Sequence, residues 1–77
     1  MNRKQFEENE QKLKAKVATA TYRHEKAKLA YDDYKGSDTA EEHRLFLCET
    51  SAESARITAE KNLLVLQTDY KNSLATA

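Results

Sequence analysis

Lys35-Gly36-Ser37-Asp38 is the one break in an otherwise uninterrupted chain of 77 residues. Gly36 is the only glycine, it lies close to the midpoint, and there is no proline anywhere. Glycine and proline are the two residues that most oppose helix, so long segments without either read as helix from end to end. The sequence therefore predicts two long arms folded about Gly36. The first runs over about residues 3–35, the turn over about 36–38, and the second over about 39–74. Asp38 has the short acceptor side chain of an N-cap, and Glu41 sits three residues later, where a capping box would place it. Tails at about residues 1–2 and 75–77 are expected to fray.

Both arms carry a seam. In the first, Phe6, Leu13, Val17, Ala20, Ala27, Tyr31 and Tyr34 recur in alternating steps of four and three, with Glu10 and His24 in the remaining slots. That is the spacing of a heptad stripe. In the second, the apolar and small residues are Leu45, Cys48, Ala52, Ala55, Ala59, Leu63, Leu66, Tyr70 and Leu74. Their steps drift toward an eleven-residue repeat, which predicts little left-handed supercoil in this arm. Folding the arms back on each other pairs Phe6 with Tyr70, Leu13 with Leu63, Val17 with Ala59, Ala20 with Ala55, His24 with Ala52, Ala27 with Cys48 and Tyr31 with Leu45. The expected fold class is all-α: an antiparallel, coiled-coil-like two-helix hairpin in a single domain spanning 1–77.

Composition says that such a hairpin is short of core. Apolar residues are 39% of the chain, and many are alanines that bury little area. A domain of this size needs a staple or a partner. Cys48 is the only cysteine, so no internal disulfide can form. One cysteine and two histidines do not make a four-ligand zinc set, and no metal or cofactor is expected. A helical bundle completed by a second copy or by another protein is the expected remedy.

The second arm has more apolar residues than one seam uses. Phe46, Ile57 and Leu64 lie together away from it, and Leu47 and Val65 point to the other flank. Tyr22 and Leu29 form a weaker outer stripe on the first arm. Helices apolar on more than one side are buried on more than one side. Phe46, Ile57, Leu64, Val65, Tyr22 and Leu29 are thus the candidate partner-binding surface.

Net charge is zero, but it is the sum of unlike halves. Residues 1–36 hold nine Lys/Arg against six Asp/Glu, and residues 37–77 hold four against seven. Lys12, Lys16, Arg23 and Lys26 form a basic row on the first arm, and Glu42, Glu49, Glu53 and Glu60 an acidic row on the second. In an antiparallel hairpin these rows fall on opposite sides, which suits association of hairpins basic side to acidic side. The expected architecture resembles the Rop family of helical hairpins, which dimerise into four-helix bundles and bind RNA. It shares no sequence motif with that family. The resemblance implies an alternative function as a nucleic-acid-binding dimer, with Lys12, Lys16, Arg23 and Lys26 on phosphates.

No phosphate-cradling glycine loop or nucleophile elbow is present. The carboxylate pairs Glu7-Glu8, Asp32-Asp33 and Glu41-Glu42 have no cleft to shift their pKa values. His24, on the first seam, reads as a core-edge histidine hydrogen-bonded to a neighbour or to water, and Cys48 as a small hydrophobe. The expectation is a non-enzymatic protein–protein interaction module, such as a regulator, inhibitor, chaperone or assembly adaptor. It would have no small-molecule substrate and no membrane partner, and a cytoplasmic location. The remaining alternative is a structural subunit of a larger assembly.

Overall fold

A computed structural model describes residues 1–76 of the chain as two antiparallel α-helices, α1 (Arg3–Asp32) and α2 (Thr39–Thr76), packed along their length. The molecule is a rod of 61 × 17 × 13 Å with a radius of gyration of 17.5 Å. A compact chain of this length would have a radius of about 11.5 Å. The long axis is essentially α2, since 38 residues at about 1.5 Å each span about 57 Å.

Both helix starts are capped. Asn2 Oδ1 accepts the Gln5 backbone N–H at 2.8 Å, and Gln5 Oε1 accepts that of Asn2 at 3.2 Å. This reciprocal capping box holds a residue expected to fray. Asp38 Oδ1 accepts the N–H groups of Ala40 at 3.0 Å and Glu41 at 3.4 Å, the expected N-cap. The expected return bond from Glu41 is not made, because Glu41 turns to Arg44 instead. The N–H of Asp38 goes to Tyr34 Oη at 3.2 Å, and that hydroxyl donates to the Asp38 carbonyl at 3.1 Å. Ala77 lies outside the described residues.

The turn begins three residues earlier than predicted. Asp33 closes α1, its N–H bonding Leu29 O at 2.9 Å, and Tyr34 N–H reaches back only three residues to Tyr31 O at 3.3 Å. Tyr34 then folds back over the connection. A Cβ on Gly36 would lie 2.5 Å from Tyr34 Oη and 2.7 Å from its Cζ. Gly36 does not have a positive φ. It is needed for space, not for backbone freedom.

Contacts rise along α1 as they fall along α2. Phe6 stacks on Tyr70 with centroids 4.0 Å apart and rings 7° from parallel, as the predicted register requires. Gln67 Nε2 donates to Glu10 Oε2 at 3.0 Å, Arg56 reaches His24, and Tyr31 tilts against Phe46 at 5.8 Å. Every predicted α1 seam position is half-buried, including Glu10 and His24.

The α2 seam needs correction. Its half-buried positions are Leu45, Glu49, Ala52, Arg56, Ala59, Leu63, Leu66 and Tyr70, with Glu41 and Gln67 beside them. These keep steps of four and three throughout, so the pattern is a heptad and not an eleven-residue repeat. Cys48, Ala55 and Leu74, predicted in the seam, are exposed. Small apolar side chains next to the seam drew the prediction off line, while Glu49 and Arg56, whose long stems cover apolar surface, occupy it. Among the described residues no side chain is fully buried.

Candidate interaction surfaces

The seam and the two faces beside it follow from the heptad. On one face of the hairpin the helices leave a groove floored by small side chains: Ala15, Thr19, Ala20, Cys48, Ser51, Ala52 and Ala55. It continues along Ser54, Thr58 and Ala59 to Asn62. Its first section offers about 770 Å³ and its second about 670 Å³ of space open to solvent. Small residues stay close to their own helix, so the flank is concave. Lys16, Arg23 and Arg44 rim it, and Leu47 and, in the second section, Leu13 are its large apolar side chains. None of Glu42, Glu49, Glu53 and Glu60 lines it.

The opposite face carries knobs. Phe46, Ile57 and Leu64 project there, with Glu53 and Glu60 between them in the same two rows. Phe46 is 46% exposed even with Tyr31 against it, Ile57 55% and Leu64 62%.

All six residues of the candidate partner surface are exposed, but they do not form one patch. Phe46, Ile57 and Leu64 share the knobbed face. Val65 falls on the groove face, just beyond its end. Tyr22 and Leu29 lie on the outer edge of α1, away from α2. The basic row is likewise divided. Lys16 and Arg23 enter the groove rim, whereas Lys12 and Lys26 stand further out on α1, and Lys26 Nζ sits 5.8 Å over the Tyr22 ring. Sequence reasoning missed the groove and the part of Arg44 in it. The signal was available in the row Cys48, Ser51, Ala55, Thr58 and Asn62, which is small or short throughout.

Polar contacts are mostly local. Arg3 pairs with Glu7 at 3.0 Å, Lys14 with Glu10 at 3.5 Å and Arg56 with Glu60 at 3.1 Å. Arg56 also holds His24 Nδ1 at 3.1 Å. A guanidinium can only donate, so Nδ1 accepts and the ring proton sits on Nε2. His24 is thus a hydrogen-bonded core-edge histidine, with Arg56, one turn from Ala52, as its partner. Arg44 and Glu41 form a two-bonded pair on the first turn of α2. That hydrogen bond, more than the accompanying charge attraction, holds the Glu41 carboxyl below the usual glutamate range and raises Arg44.

No group of three or more His, Cys, Asp or Glu side chains among the described residues is placed to hold a metal ion. No described helix is long and apolar enough to cross a membrane. Compared with protein families, curated proteins and solved structures, the chain matches none.

Proposed function

We propose that this chain is a non-enzymatic protein–protein interaction module that works by packing helix against helix. One observation carries the reading. The hairpin leaves Tyr22, Leu29, Phe46, Leu47, Ile57, Leu64 and Val65 between 46% and 63% exposed while burying no described side chain completely. Its accessible surface is 6086 Å², about 1,300 Å² more than the roughly 4,800 Å² expected for a monomer of its mass. That surplus is the scale of a protein interface, about 800 Å² on each partner. Regulator, inhibitor, chaperone and adaptor roles all use such a surface.

The test is Leu64→Glu with Val65→Glu, a pair that places a charge on each face. Helicity by circular dichroism should remain, and association measured by light scattering over a concentration series should be lost. A double variant with the mass and binding of the wild type would remove these faces from consideration.

Nucleic-acid binding is the second reading, favoured by the convergence of Arg44 from α2 with Lys16 and Arg23 from α1 on one rim. Phosphate contacts of that kind weaken steeply with salt. A mobility shift that is absent even at low ionic strength would end it.

A further inference from the structure

Resting on the interaction reading above, we propose that the partner is a second copy of this chain, docked face to back: the knobbed face of one hairpin fills the small-residue groove of the next. Three features of the two faces support this occupant over an unrelated protein.

The first is shape. The groove is concave because its floor is alanine, serine, threonine and cysteine, and the opposite face is convex because Phe46, Ile57 and Leu64 project from it. Helices approach closely where one side is small, and large side chains from the other fill the space. The second is length. Along α2 the groove runs from Arg44 to Asn62, and the knobs run from Phe46 to Leu64. Each stretch is about 27 Å at the helical rise. The third is charge. The α1 rim presents Lys16 and Arg23, seven residues apart, and the knobbed face presents Glu53 and Glu60, also seven apart. Each pair is spaced by about 10.5 Å, so two cations meet two carboxylates in one register.

The same charges choose the symmetry. Two grooves facing each other would oppose Lys16, Arg23 and Arg44 with their own copies, and like charges brought together at an interface are costly. Two knobbed faces would leave no hollow for Phe46, Ile57 and Leu64, whatever their Glu53 and Glu60 found among Lys14 and Lys28 of the other copy. The favourable contact joins unlike faces, so each docked copy still offers a groove at one end and knobs at the other. Contacts of this type build stacks or rings instead of stopping at two.

Charge reversal in both halves tests it. Lys16→Glu with Arg23→Glu puts carboxylates in both contact rows, and Glu53→Lys with Glu60→Lys puts cations in both. Each double variant alone should need at least about tenfold higher concentration to associate. Mixed in equal amounts they should assemble alternately, because each then finds its complement, and the quadruple swap should assemble by itself. Helicity by circular dichroism verifies folding, since Glu60 also pairs with Arg56. Alkylation of Cys48, exposed in the single hairpin and on the groove floor, should slow in every assembling sample and stay fast in the others. Failure of the mixture to assemble while both components are helical would overturn the proposal. So would a wild-type mass that stops at a closed dimer, or one that stays monomeric at every concentration. The last two results would leave the interaction reading standing, with a symmetric dimer or a different protein on these faces.

Discussion

Tyr34 does the work that the sequence assigns to glycine. Its hydroxyl both accepts from and donates to the backbone of Asp38, and its ring occupies the space where a Gly36 side chain would stand. Removing the hydroxyl in Tyr34→Phe deletes both bonds and should cost about 0.5–1.5 kcal/mol. Gly36→Ala forces the hydroxyl away and should cost a similar amount, less the gain of about 0.4–1 kcal/mol from a stiffer unfolded chain. The two changes destroy the same contact. In urea melts the double variant should therefore be less destabilised than the sum of the singles, and simple additivity would separate Gly36 from Tyr34. At the start of α2, Glu41 is held below its ordinary value of 4.5 by Arg44. A depressed carboxyl stabilises the fold above its unfolded pKa, and that contribution is lost as pH falls through the folded one. The window is thus from 4.5 downward. A carbon NMR titration of Glu41 should show its midpoint rise in Arg44→Gln, and an unchanged midpoint would discount the pair.

The two helices differ in how plainly they announce themselves. All the α1 seam positions were legible, polar Glu10 and His24 included, because their neighbours keep a strict step of four and three. In α2 the same step passes through Glu49 and Arg56, while Cys48 and Ala55 offer apolar decoys one residue earlier. Residue polarity alone misleads there, since a long charged side chain can cover a seam with its stem. The knobs were legible too, as large apolar residues off the seam. The groove is written only in the short side chains of Cys48, Ser51, Ala55, Thr58 and Asn62, and it was missed because a hollow is made by what neighbouring helices lack. Arg56 and His24 are a polar interruption of the seam, of the kind that fixes register in coiled coils at some loss of stability. Arg56→Leu with His24→Leu should then raise the melting temperature. A gain of about 1 kcal/mol corresponds to roughly 4–8 °C in a domain of this size. A fall would mean that the Arg56–His24 bond, with Glu60 behind it, is worth more than the apolar contact that replaces it.

For the whole molecule the governing fact is a rod in which no described side chain is fully buried. Such a hairpin has little stability of its own to draw on, because apolar burial is the main favourable term and each side chain here is only partly removed from water. Association should therefore appear in the melting temperature as well as in the mass. Binding to the folded state alone stabilises by mass action, so the midpoint should rise with protein concentration. Tenfold dilution changes the free energy of one pairwise contact by about 1.4 kcal/mol. Set against an unfolding entropy of about 2.1 cal/mol/K per residue over two chains, that is a fall of about 4 °C. Salt alone cannot isolate this effect. The unlike net charges of the two arms also attract within one hairpin, and screening weakens that attraction together with any contact between copies. Dilution acts only on contacts between molecules. A melting temperature that drops on dilution at fixed salt, and stops dropping once Leu64→Glu and Val65→Glu are introduced, places the missing burial between copies of this chain. A midpoint independent of concentration means that the hairpin stands alone with both faces open, and that a different protein must supply the burial.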